Sequence, residues 1–88
     1  MTPEEIRPIV LRAIHRVAPE ADPAELESDV PLRDQLDIDS MDFLRFVIEL
    51  HESLGVNVPE KDYSKLDTID DCVDYLASAI ATQPTTEK

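Results

Sequence analysis

The chain has 88 residues, 42% of them hydrophobic, and sets twenty acidic against eight basic side chains for a formal charge of -12. So short a chain encloses one modest core and leaves little room for a deep pocket with a full catalytic set, which favours a binding or carrier module over a self-contained enzyme. The charge repels phosphate backbones and anionic lipid, so nucleic acid and membrane are not expected partners, whereas proteins presenting Lys and Arg patches are.

The opening MTPEEIRPIV lacks a basic stretch followed by an apolar run, and no apolar segment approaches the ~18 residues of a membrane span. A cytoplasmic monomer is the expectation. Cys72 is the only cysteine, which excludes an internal disulfide and any CxxC redox or metal site.

Thr2, Pro3 and Glu5 read as a capping box with proline at the first helical position, and Ile6, Ile9, Val10, Ala13, Ile14 and Val17 keep helical spacing. A first helix over 3–17 follows. Prolines at 19, 23 and 31 then break periodicity from Ala18 to Asp39, marking a long loop with room for one turn at Asp22-Pro23-Ala24-Glu25. Loops of this length tend to be functional or unfolded, and Val30, Leu32 and Leu36 would pin this one to the core.

The second main helix begins at Asp39 or Ser40, with Asp42 near the positive end of its dipole, and stops at Gly55, suited to a left-handed cap. After Pro59 there is room for one or two turns. Thr68 caps the last helix, in which Ile69, Cys72, Val73, Leu76, Ala77 and Ile80 repeat with helical period. The residues after Ala81 lack apolar side chains, so the reading is one domain over 1–81 and a flexible tail over 82–88. The expected fold is all-α, a bundle of three main helices plus a short one.

The informative segment is Leu36-Asp37-Ile38-Asp39-Ser40-Met41-Asp42, which puts a serine where an acidic loop turns into a helix. The first helical turn offers unpaired N–H groups and positive partial charge, so a phosphate esterified to Ser40 would be stabilised there. A serine after an aspartate is by itself commonly just a cap. The same helix carries a second signal, because its apolar residues form two groups. Phe43, Phe46, Val47, Leu50 and Leu54 lie together, and Met41, Leu44 and Ile48 form a separate stripe. A small monomeric bundle buries one face, so two apolar groups imply either a helix buried almost all round, which a domain this small rarely has, or an exposed strip for a partner, and the strip is the expectation.

These residues resemble the acyl carrier protein family, whose attachment motif is Asp-Ser-Leu or a close variant at the head of the second main helix. Here it is Asp39-Ser40-Met41. The resemblance extends through the long loop, Val58-Pro59-Glu60 before the short helix, and Thr68-Ile69-Asp70-Asp71 opening the last. It implies that a phosphopantetheinyl transferase uses coenzyme A and magnesium to place 4′-phosphopantetheine on Ser40, with Asp39 and Met41 flanking the attachment. Acyl cargo is then held as a thioester and handled by the acyl transferases, synthases or ligases of its pathway. Asp42, Leu44, Arg45, Ile48 and Glu52 are the implied partner-binding residues.

The chain departs from the family pattern in several places. Asp37 replaces a common glycine, Met41 the usual leucine, Phe43 a smaller side chain, and Arg45 and His51 acidic residues. Partner choice rests on such charges, so a specialised lipid, polyketide or secondary-metabolite carrier is expected rather than the housekeeping fatty-acid one. The alternative is an acidic adaptor that binds a basic partner through Met41, Leu44 and Ile48 without a prosthetic group. A hydrolase pairing Ser40 with His51 lacks an assignable oxyanion donor pair.

His15 and His51 have no second histidine at zinc-ligand spacing, and Asp37, Asp39 and Asp42 fail the calcium-loop pattern, so no metal site is expected. Cys72 lies on an apolar stripe and reads as a small core residue.

Overall fold

The computed structural model describes residues 2–82. Thr2 opens the first helix as the sequence predicts. Its hydroxyl accepts from the Glu5 amide at 3.3 Å while the Glu5 carboxylate accepts from the Thr2 amide at 2.8 Å, closing the capping box. Helix α1 (Pro3–Val17) then buries Ile6, Val10, Ala13 and Ile14 along one stripe. Pro8 lies inside it, and the N–H it lacks would have met the Glu4 carbonyl on the exposed side, where water can serve instead.

The long connection contains more helix than its prolines imply. The expected turn is a 3-10 turn at Pro23–Glu25, capped by the Asp22 carboxylate, which accepts from the Ala24 amide at 3.0 Å. A second turn, α2 (Leu32–Gln35), goes beyond the single turn expected for this loop. Leu32 and Leu36 stand four residues apart and are both buried, and one helical turn lets both enter the core from the same side.

Long-range bonds then fix the loop. The Gln35 amide group donates to the Glu27 and Val30 carbonyls at 2.8 and 3.0 Å and accepts from the Glu27 amide at 2.9 Å. The Leu32 amide donates to Asp67 O at 2.8 Å, and the Asp70 amide to Ser28 O at 3.0 Å. Arg7 bridges the same junction from α1, bonding Ser28 Oγ and pairing with Asp70 at 3.4 Å.

Helix α3 (Ser40–Leu54) ends at Gly55, whose φ of 72° is the left-handed cap expected of the only glycine and whose amide donates to His51 O at 2.7 Å. Beyond Pro59 the predicted turns take the 3-10 form, as a seven-residue segment Glu60–Leu66. It is held by buried Leu66 and by the Tyr75 hydroxyl, which donates to Asp62 at 2.7 Å. Helix α4 (Ile69–Thr82) starts where the Asp71 amide donates to Thr68 Oγ1 at 2.9 Å and runs one residue past Ala81. The rest of the predicted tail, 83–88, lies outside the described residues.

Packing α1 against both α3 and α4 encloses one core, in which Phe46, Ile6, Ile14, Leu32, Leu50 and Leu76 are fully buried. The described residues form an all-α fold of three main helices, with the 3-10 segment against α4. Among the described residues, no helix is long and apolar enough to cross a membrane.

Candidate functional site

The head of α3 is built by two aspartates. The Asp39 carboxylate accepts from the Asp42 amide at 2.9 Å, and the Asp42 carboxylate accepts from the Asp39 amide at 3.4 Å, a reciprocal capping box. Ser40 is the first helical residue and its side chain is exposed. With Asp39 and Asp42 satisfied by each other, the Ser40 and Met41 amides are the first-turn donors left without a helical partner.

From this point the exposed face of α3 runs through Met41, Leu44, Arg45, Ile48 and Glu52, spaced at i, i+3, i+4, i+7 and i+11. Met41, Leu44 and Ile48 are the exposed large hydrophobics, at 65, 38 and 46% accessibility, while Phe43, Phe46, Val47 and Leu50 face the core. The two apolar groups read from the sequence are therefore one buried face and one bare face. The predicted residues Asp39, Ser40, Met41, Asp42, Leu44, Arg45, Ile48 and Glu52 all come from this helix and its cap. Glu49 beside them is engaged by Arg16 of α1 at 3.3 Å.

His51 is too far down the same helix to serve Ser40, about 16 Å along the axis at ~1.5 Å per residue. Its Nδ1–H instead donates to Val56 O at 3.2 Å, closing the turn after Gly55. Cys72 is buried, its Sγ–H directed at Leu66 O at 3.6 Å, and burial with the nearby charges of Asp71 and Asp67 pushes its thiol up to about 12. Both therefore belong to the scaffold.

Beside Ser40 the structure adds side chains that sequence spacing did not single out. A cleft of about 430 Å³ is lined by Ser40, Arg33, Phe43, Leu44, Glu60 and Tyr63, together with Met41. The Arg33 guanidinium lies 5.3 Å from the Phe43 ring centre, and Tyr63 meets the same ring edge-on at 5.7 Å. Of these, Arg33, Glu60 and Tyr63 come from α2 and the 3-10 segment, so no pattern local to α3 announces them.

Residues 5–76 match the family described as phosphopantetheine attachment site. The acyl carrier protein of Renibacterium salmoninarum is 40% identical over 65 residues, 74% of this chain and 75% of that protein. That of Micrococcus luteus is 33% identical over 60 residues, 68 and 74% of the two chains. Among solved structures, the acyl carrier protein of Enterococcus faecalis superposes with a TM-score of 0.69 at 25% identity, covering 90% of this chain and 99% of its own. A solution structure from Anaplasma phagocytophilum assigned to the same proteins gives 0.78 at 29%, covering 89 and 91%. The chain belongs to the acyl carrier protein family, whose members hold their cargo on covalently attached 4′-phosphopantetheine.

Proposed function

We propose that Ser40 is the attachment residue and that this carrier serves a specialised lipid, polyketide or secondary-metabolite pathway. The observation that carries the first part is the exposed Ser40 side chain at the head of α3, next to two amides that the Asp39–Asp42 box leaves open. A phosphodiester fits there, because it meets free N–H donors and the positive end of the helix dipole without displacing a core residue. In the loading step Ser40 Oγ bonds to the pantetheine-side phosphorus of the coenzyme A pyrophosphate, the bond from that phosphorus to the bridging oxygen breaks, 3′,5′-ADP departs, and the serine proton passes to a base of the transferase. The arm then supplies a thiol that carries the acyl group as a thioester within reach of several enzymes.

Incubation with coenzyme A, magnesium and a broad-specificity phosphopantetheinyl transferase is expected to raise the intact mass of the wild type by one arm. Ser40→Ala is expected to stay unmodified. An unchanged wild-type mass would favour the adaptor reading, and a modified Ser40→Ala would move the site elsewhere.

The specialised role rests on Arg45. Its side chain is exposed within the bare stripe and makes no ion pair among the described residues, so its charge is presented to whatever docks on α3. Arg45→Glu is expected to raise the rate at which the holo protein accepts a malonyl group from a general fatty-acid malonyl transferase. The gain should be several-fold at low salt and smaller at high salt, the scale of one exposed charge pair. Equal rates for both proteins at both salts would remove the specialised assignment and leave the carrier assignment intact. Acyl transferases, synthases or ligases with basic docking faces are the partners this surface fits, with the carrier acting as a monomer in the cytoplasm.

A further inference from the structure

On the side of α1 turned away from α3 the molecule carries a second groove. About 430 Å³ in volume, it lies between α1 and the 3-10 turn Pro23–Glu25 and is lined by Pro8, Leu11, Arg12, His15 and Pro23. Leu11 is half-buried against the core and forms the floor, while the other four side chains are exposed. At about 3.6 residues per turn, the groove residues of α1 fall opposite Ile6, Val10, Ala13 and Ile14, the stripe by which α1 packs against α3 and α4. A group seated in the groove would leave Ser40 and the Met41–Leu44–Ile48 stripe uncovered.

Two features of this groove do nothing for the fold itself. A proline within a helix removes a backbone hydrogen bond, and the exposed Pro8 ring offsets none of that loss by filling the core. Arg12 stands between Arg7 and Arg16, which pair with Asp70 and Glu49. In a chain with twenty acids, Arg12 itself pairs with no carboxylate among the described residues, and it lies beside His15 at the groove rim.

The chemistry of the walls defines what fits. The Pro8 and Pro23 rings with Leu11 make an apolar bed, and Arg12 and His15 set N–H donors next to it, the guanidinium being suited to a carboxylate. Overall charge limits how acidic the occupant can be. At -12 the protein repels an extended acidic surface, and Asp22 and Glu25 belong to the turn that forms the far wall. A short segment with one or two carboxylates meets the local donors without adding a large negative field.

We propose that this groove is a second docking site, which takes a peptide segment of a partner protein carrying an aromatic or leucine side chain flanked by carboxylates. The apolar side chain lies between Pro8, Leu11 and Pro23, and a carboxylate meets Arg12 with His15 as a further donor. Because the site lies across α1 from α3, it holds the carrier while enzymes with basic faces visit the other side. Tethering of this kind raises the local concentration of the carrier near its pathway enzymes without competing for their surface. The site stands on α1 and its neighbouring turn, independently of the Ser40 assignment.

The probe is the acetylated, amidated peptide Ser-Glu-Leu-Phe-Glu-Ser, titrated into the ¹⁵N-labelled full chain. Saturable shifts are expected at the Leu11, Arg12, His15 and Ala24 amides, with the amides of 41–48 unmoved. Replacing both glutamates by lysine, or Leu and Phe by alanine, should weaken the response several-fold. No saturable shift, an equal response to the lysine peptide, or shifts confined to α3 would each overturn the proposal. Groove shifts produced by raising the protein concentration alone would assign the site to a second copy and overturn the peptide reading. Arg12 is exposed, so Arg12→Glu is expected to keep the fold and lose affinity several-fold; undiminished affinity would remove the charge recognition. Pro8→Ala is expected to raise the melting temperature by restoring a helical N–H while weakening the peptide, a pair of effects that a purely structural residue would not give. A higher melting temperature with unchanged affinity would count against the apolar bed. Finally, transferase loading followed by intact mass should run at the same rate with and without saturating peptide, and slowed loading would contradict the independence of the two faces.

Discussion

At the scale of single residues, side chains of similar reactivity are given opposite uses by their surroundings. Ser40 is exposed at a helix head, where its hydroxyl can be reached by a transferase. Cys72 has the more nucleophilic atom, yet burial first, and then the charges of Asp71 and Asp67, push its thiol up to about 12, so almost no thiolate exists near neutral pH. The apo protein is therefore expected to be inert to an aromatic disulfide reagent under native conditions and to release one equivalent in denaturant. The holo protein should show one fast native equivalent, from the arm. Rapid native reaction of apo protein would mean that the packing around Cys72 opens readily.

At the scale of elements, the 3-10 segment Glu60–Leu66 depends on α4 for its place, and the bond from the Tyr75 hydroxyl to Asp62 is the polar part of that attachment. Burial first, then the bond to Asp62 and its charge, raise the Tyr75 phenol from 10.0 to about 12. The fold thus holds this proton more tightly than the unfolded chain does. Its contribution is complete below about pH 10 and is lost as pH climbs toward about 12; Cys72 acts in the same direction, starting from 9.0. The same bond lowers the Asp62 carboxyl, a contribution present above 3.8 and lost as pH falls through its lowered value. Because the pair is partly open to water, Tyr75→Phe is expected to lower the melting temperature at neutral pH by only roughly 2–4 °C. The alkaline decline should also become shallower than in the wild type. Melting curves across this pH range test both, and superimposable curves for the two proteins would show that the hydroxyl contributes nothing.

At the scale of the whole molecule, the net charge of -12 acts against compaction. Residues 20–42 hold nine acids and only Arg33 as a base. The ion pairs among the described residues, Arg7–Asp70, Arg16–Glu49 and Lys65–Asp62, use none of those nine. Screening should therefore stabilise the fold, with added sodium chloride or magnesium raising the melting temperature. A flat or falling response to moderate salt would mean that the hydrogen bonds of Asp22, Asp39 and Asp42 already offset the repulsion.

Much of this architecture was legible because its signals are local. Capping at Thr2, Asp39 and Thr68, the stop at Gly55 and the apolar periodicity of the three main helices all join residues within a few positions. Ser40 and the division of α3 into two apolar groups were readable for the same reason. The tertiary structure decided what depends on chain segments meeting. It made a helical turn of Leu32–Gln35, because Leu32 and Leu36 needed a common way into the core and the Leu32 amide found Asp67 O. It left the Met41–Leu44–Ile48 stripe bare by packing α1 on the other side of α3. It also brought Arg33, Phe43 and Tyr63 together beside Ser40 from three separate elements. Helical periodicity encodes which residues share a face, but their neighbours across space are set only when burial of the common core fixes how the helices and connections approach one another.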